Sequence, residues 1–426
     1  MTAPSKGVRY LLLVALTMAC SSEVGEEPTP PSSGGTGGSA ASPGGSTSTG
    51  GVSGSATSAG GGGAAAAGTP PVGGGGATSG SAGTSSSSGG TGGAGGVAAT
   101  GGTASGGSGG GPEVPACATN ERARCSGSSP ITCDFGGAPG DYLVTVELGG
   151  PAASKTFIEA ETSRRVLGNV ELGAGETRRL AFGVNVREPE GQPVQDVPKG
   201  KPGLQLYLRG SAPALSAVCV KPLSPKPKVW IAGDSTVCDQ TDTSFAGWGQ
   251  HVPQFFDDSV SVANYADSGE SSATVLGSAR MWGAIKAGWH PGDWVLVQVG
   301  HNDKNITTAA FRSNMTAYVT QAKAAGVNIA LCTPISRVGY TLENEHQSSA
   351  GADLPAIIKE VAASQNVPLI DLTTKTWNWL QTVDWKQYFA LGTDRTHTNP
   401  AGAEVVAGLV RDAIREQHMP LADHLR

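Results

Sequence analysis

Aromatic and charged side chains are both scarce in this chain: Phe, Trp and Tyr make up 5% of its 426 residues, and Asp, Glu, Lys and Arg together 15%. The net charge is −6 and the lysines and arginines form no basic run, which argues against a nucleic-acid partner. No long hydrophobic run is present. The apolar stretch Tyr10 to Ala19 holds ten residues, half of the roughly 20 that a membrane-spanning helix needs. His251, His290, His346, His418 and His424 are scattered without ligand spacing, so neither a metal nor another cofactor is expected.

The short apolar stretch follows Lys6 and Arg9 and ends on the small residue Ala19, the order of a secretory signal peptide over residues 1–19. Thr17-Met18-Ala19-Cys20 resembles a bacterial lipoprotein processing site, with Cys20 as the lipidated first residue of the mature chain. The expected location is then outside the cell, anchored by lipid to the bacterial envelope and exposed at its surface. An ordinary cleaved signal that leaves Cys20 unmodified is the alternative. Glycine is abundant, with 64 residues, and most of it falls in one block. From Ser32 to Gly111 the chain is nearly all Gly, Ser, Ala and Thr with no apolar periodicity, so residues 20–112 are expected to be a disordered linker. A Gly/Ser coil of about 80 residues spans roughly 50 Å, enough to hold a folded part clear of a surface.

Two rhythms follow the linker. Over residues 113–222, DYLVTVEL, KTFIEAET, LAFGVNVR, LQLYLRG and ALSAVCV alternate apolar and polar residues between Gly, Pro and Asp turns, predicting a small antiparallel β-sandwich. A Pro-rich joint, PLSPKPK, separates it from residues 228–426, where short apolar runs (KVWIAGDS, SVSVANYAD, DWVLVQVG, NIALCTPIS, VPLIDLT) alternate with helix-compatible stretches. That alternation predicts an α/β fold, a doubly wound parallel sheet of flavodoxin-like order, closed by an amphipathic helix in NPAGAEVVAGLVRDAIREQ. Cys117, Cys125, Cys133 and Cys219 belong to the β unit, where an exported chain permits one or two disulfides of undetermined connectivity; Cys238 and Cys332 are expected to be unpaired.

In a doubly wound sheet the ligand crevice lies beyond the carboxyl ends of the strands. Stationed there are Gly233-Asp234-Ser235-Thr236, then Ser268-Gly269-Glu270-Ser271, then Gly300-His301-Asn302-Asp303, and, before the last helix, Asp394 to Asn399. A serine hydroxyl needs a base within hydrogen-bond reach to become a nucleophile, and His397 can be that base. Asp394 would fix the imidazole tautomer and stabilise its cation. The charge that builds on an acyl oxygen could be received by the N–H groups of Ser235 and Gly269 and the Asn302 amide. Singly, each residue has a plain structural reading, as a helix cap or turn residue; together they suit acyl transfer to water.

These four blocks resemble those of the SGNH, or GDSL-type, hydrolase family. The resemblance implies Ser235, Asp394 and His397 as catalytic residues and Ser235, Gly269 and Asn302 as the oxyanion hole. Within that family GDST, GWG at 247–249, GHND and DxxHTNxxGA are most similar to rhamnogalacturonan acetylesterases, whereas Glu270 departs from the arginine often found there. The implied activity is that of a serine esterase removing O-acetyl groups from a plant-type polysaccharide, first rhamnogalacturonan or pectin. Alternatives are acetylated xylan or a lipase-like ester as substrate, or an inactive surface carbohydrate-binding protein. His301 and Asp303 are expected to shape the GHND turn, and Trp377, Trp379, Trp385 and Tyr388 to be core before sugar platform.

Overall fold

The structure, a computed structural model, describes residues 114–188, 190–195 and 200–426. The expected signal peptide, Cys20 and linker lie outside the described residues.

The antiparallel part contains β1 (Cys125–Ser126), β2 (Ile131–Gly136), β3 (Gly140–Gly149), β4 (Ser154–Ala160), β5 (Arg164–Leu172), β6 (Thr177–Val186), β7 (Leu204–Ala212) and β8 (Leu215–Pro222). They form two sheets, ordered β1-β2-β7-β4-β5 and β6-β3-β8, whose inward residues share one core that includes Val144, Val146, Ile158, Phe182, Leu206 and Val218. Alternation announces five of these strands. It hides β5, because Arg164 and Arg165 at its start are buried and Gly168 interrupts it. Disulfides join Cys117 to Cys219 and Cys125 to Cys133, one of the three possible connectivities.

The parallel part contains β9 (Lys228–Gly233), β10 (Ser261–Asn264), β11 (Trp294–Gln298), β12 (Asn328–Cys332) and β13 (Leu369–Ile370) in the order β10-β9-β11-β12-β13. This is the flavodoxin-like order, with every pair parallel. The strands are shorter than their apolar runs, since runs such as NIALCTPIS continue into the loops that carry polar groups to the crevice. The helices are α1 (Ser272–Gly277), α2 (Trp282–Gly288), α3 (Thr308–Ala324), α4 (Leu354–Ser364), α5 (Leu372–Leu380) and α6 (Pro400–Glu416). Because side chains alternate across a strand, the sheet feeds two cores. Val229, Ile231, Leu296 and Ala330 pack against Val406 and Val410 of α6, while Trp230, Ala232, Val295, Val297 and Leu331 pack against Phe311 and Met315 of α3.

Antiparallel and parallel parts share one compact unit. The Pro-rich joint is tied at both ends, Leu223 N–H donating to Asp141 O at 2.8 Å and Lys226 N–H to Ser259 O at 3.0 Å. Gly183 of β6 lies so close to the Val260 carbonyl that a Cβ would sit 2.1 Å from its oxygen. Between the parts lies a buried charge cluster. Asp239 accepts from Asn264 Nδ2 at 2.9 Å and lies 3.4 Å from Arg164 Nε and 3.2 Å from Arg187 NH2. Both arginines come from the antiparallel part and Asp239 from the loop that follows β9, so the ion pairs cross from one part to the other.

Candidate active site

Strand β9 ends at Gly233, and the chain turns at once. Asp234 O accepts from the N–H groups of Val237 and Cys238, both at 3.0 Å, and Asp234 Oδ1 accepts from Thr236 N–H at 3.0 Å and Thr236 Oγ1 at 2.7 Å. No α-helix starts here, so Ser235 is not a helix cap; the tight turn sets it at the rim of the sheet, 9% exposed. Behind the turn, Trp248 Nε1 donates to Gln298 Oε1 at 2.8 Å, and Gln298 Nε2 donates to Thr236 Oγ1 at 2.7 Å. The glycines flanking Trp248 allow this approach: a Cβ on Gly247 or Gly249 would meet the Val237 backbone at 2.3 Å or 2.6 Å.

Ser235 Oγ lies 2.9 Å from His397 Nε2, and His397 Nδ1 lies 2.9 Å from Asp394 Oδ2. The other carboxylate oxygen, Asp394 Oδ1, accepts from Thr396 N–H at 2.7 Å and His397 N–H at 2.8 Å, so one aspartate fixes both the backbone and the ring of the histidine. Burial works against the charge on Asp394, but the His397 side-chain and backbone hydrogen bonds outweigh it and hold the carboxyl below its ordinary value. Asn399 then caps α6, accepting from Gly402 N–H at 3.0 Å, which anchors the segment two residues beyond the imidazole. Phe245 packs edge-on to the imidazole, with 5.9 Å between ring centres.

The remaining blocks join the same edge. Gly269 has φ +81° with open space where a Cβ would stand, so its backbone conformation alone calls for glycine. Asn302 Nδ2 donates one hydrogen to Glu270 O at 3.1 Å and has a second to give. Asp303 accepts from Ser272 N–H at 3.0 Å and Ser272 Oγ at 2.6 Å, binding the GHND turn to the start of α1. Cys238 Sγ lies 3.5 Å from Ser268 Oγ, linking the nucleophile turn to the Gly269 loop. His301 is buried and edge-on to His346 at 4.6 Å, burial holds its pKa well below the ordinary value, and its carbonyl accepts from Arg337 NH2 at 2.9 Å. Trp377, Trp379, Trp385 and Tyr388 are all half-buried, Trp379 against the core and edge-on to Tyr388 at 5.1 Å. Among the described residues the exposed aromatic is Tyr340, 48% accessible, two residues from Val338, whose N–H donates to Arg395 O at 2.9 Å.

Sequence reasoning missed three side chains here, Gln298, Gln240 and Gln192. Gln298 ends β11 inside an apolar run and reads as a strand residue, while GWG was the trace left by its partner Trp248. Gln240 Nε2 donates to Ser235 O at 2.9 Å, and Gln192 arrives from the antiparallel part.

A hydroxyl, an imidazole and a carboxylate in a hydrogen-bonded row, at the carboxyl edge of a parallel sheet and beside oriented N–H donors, define a carboxylic ester hydrolase of the serine type. The chain belongs to the GDSL-like lipase/acylhydrolase family, whose model matches residues 231–405. Over 219 residues it is 31% identical to rhamnogalacturonan acetylesterase RhgT of Bacillus subtilis (strain 168), a match covering 46% of this chain and 94% of that protein. It is 30% identical over 293 residues to the uncharacterized esterase YxiM of the same organism, covering 65% of this chain and 72% of that protein. The second match is longer than residues 228–426 can supply, so it extends into the antiparallel part. The crystal structure of YxiM superposes with a TM-score of 0.42 at 26% identity, covering 68% of this chain and 81% of that one.

Proposed function

We propose that the protein is a serine O-acetylesterase that removes acetyl groups from rhamnogalacturonan-type pectic polysaccharide. The observation that carries the chemistry is the row Ser235 Oγ, His397 Nε2, His397 Nδ1, Asp394 Oδ2, with both hydrogen bonds at 2.9 Å. In this reading His397 takes the Ser235 proton as the hydroxyl attacks the acetyl carbonyl, and Asp394 stabilises the imidazolium. The N–H groups of Ser235 and Gly269 and the Asn302 amide receive the oxyanion. His397 then gives the proton to the departing sugar oxygen as its bond to the acyl carbon breaks, leaving acetyl-Ser235, and water repeats the sequence to release acetate. The likeness to rhamnogalacturonan acetylesterase RhgT supports the choice of polymer. The exposed ring of Tyr340 supports a sugar-facing rim.

We also propose that residues 1–19 are removed as a signal, that Cys20 carries lipid, and that the glycine-rich linker holds residues 114–426 away from the envelope. Partition of the intact protein into detergent, lost in Cys20→Ser, tests this.

The enzymatic reading is tested by acetate release from acetylated rhamnogalacturonan, acetylated xylan and a short-chain lipid ester. Wild type should release acetate fastest from the first, and Ser235→Ala should fold normally and fall to background on all three. A folded Ser235→Ala that keeps most of its activity defeats the mechanism; preference for xylan or lipid ester defeats the substrate.

A further inference from the structure

The segment between β6 and β7 leaves the antiparallel part and lands on the loops that carry the proposed oxyanion donors. Gln192, 4% exposed, is its point of attachment. Gln192 Oε1 accepts from Ser268 N–H at 2.9 Å, one residue before Gly269, and from Gln195 Nε2 at 3.0 Å. Gln192 Nε2 donates to Gln240 Oε1 at 3.3 Å, and Gln240 Nε2 donates to Ser235 O at 2.9 Å. The row therefore runs from the backbone of one donor loop to the backbone of the other. Its ends fix its direction: Ser268 N–H can only donate and Ser235 O can only accept, so each amide has one orientation that satisfies both neighbours. Asp267 reinforces the attachment, its Oδ2 accepting from the N–H groups of Val194 and Gln195.

We propose that Gln192 is a positioning residue of the esterase: the antiparallel part sets the spacing of the two backbone oxyanion donors through it. The inference rests on the esterase reading above. An oxyanion hole acts only if its donors stand about 2.7–3.1 Å from where the charged oxygen will be, so a group that holds two donor loops in register contributes in the transition state. A ground-state substrate contact would act on KM instead. Glutamine suits the place because one planar amide both accepts and donates at the end of a short flexible stem.

The test uses the full chain with p-nitrophenyl acetate, a substrate too small to reach any polymer subsite, and reads kcat, KM and Tm together. Gln192→Met keeps the size of the side chain and deletes both hydrogen bonds; it should lower kcat about 10-fold with KM little changed, short of the roughly 10²–10³ that losing a whole donor costs. Gln192→Glu keeps the acceptor for Ser268 N–H and should recover part of that loss. Because both residues lie in one row, Gln192→Met combined with Gln240→Met should lose far less than the product of the single effects. A Gln192→Met variant within about twofold of wild type in kcat overturns the assignment, as does a rise in KM at constant kcat or a lowered Tm alone. Should Gln192→Met not fold, Gln240→Met, which cuts the same row nearer Ser235, is read by the same criteria. A wild type with no Ser235-dependent turnover overturns the esterase reading and this assignment together; an active wild type with an unaffected Gln192→Met overturns this assignment only.

Discussion

At the scale of single residues, the site separates groups that meet the substrate from groups that hold those groups still. Asn302 belongs to the first kind in the proposed mechanism, with one amide hydrogen spent on Glu270 O and the other available. Its interaction strengthens only as charge develops, so Asn302→Ala should lower kcat and kcat/KM together by about 10²–10³ with KM nearly constant. Steady-state kinetics on a small acetyl ester checks this; a raised KM with unchanged kcat would make Asn302 a turn residue. Most of this residue-level picture was legible beforehand. Ser235, Gly269 and Asn302 fall in contiguous blocks just after β9, β10 and β11, and Asp394 and His397 in one block just before α6, so chain direction in a doubly wound sheet brings them to one edge. Gln192 was not legible, because what makes it matter is contact with Ser268 and Gln240, 76 and 48 residues away in sequence.

Among the elements, the stretch Trp248–Phe255 between β9 and β10 does more than connect, since it seats Trp248 beneath the nucleophile turn and buries His251. Burial, with a smaller push from Arg165, drives His251 from 6.5 down to about 3. Between those values the unfolded chain binds a proton that the folded chain refuses, so this histidine costs stability progressively as pH falls below about 6.5. Glu161 and Glu345, raised by burial to about 7, act in the opposite sense over an overlapping range, so the wild-type curve alone mixes the two. The difference between His251→Phe and wild type isolates the histidine. The variant should gain on wild type by an amount on the order of 3 kcal/mol between about pH 7 and pH 4. Chemical denaturation at each pH measures it, and a pH-independent difference would contradict it. The order of the longer strands was readable from apolar rhythm, but β1, β2 and, the longest of these three, β5 were not. Its first two residues are arginines, and a buried arginine is indistinguishable in sequence from an exposed one until its carboxylate partner is known.

For the whole molecule, the charge cluster around Asp239 makes the antiparallel and parallel parts depend on each other. Arg164 and Arg187 share Asp239, so losing Arg164 leaves Arg187 3.2 Å from the carboxylate and should cost less than the roughly 3–5 kcal/mol of breaking a buried pair outright. Arg164→Met should therefore lower the unfolding temperature of residues 114–426 as a single calorimetric transition, at unchanged cooperativity. Two separated transitions in wild type would show instead that the parts are thermodynamically independent. The covalent connectivity of the antiparallel part carries a further consequence. Cys117 and Cys219 close a ring of main chain that contains every strand from β1 to β7 and the Gln192 segment, with the small Cys125–Cys133 ring inside it. A protease that severs the backbone once between Cys133 and Cys219 opens the ring without parting the molecule, so the clipped enzyme keeps its mass until a reductant is added. The Gln192 segment can therefore be nicked once and still remain held in place by the Cys117–Cys219 bond.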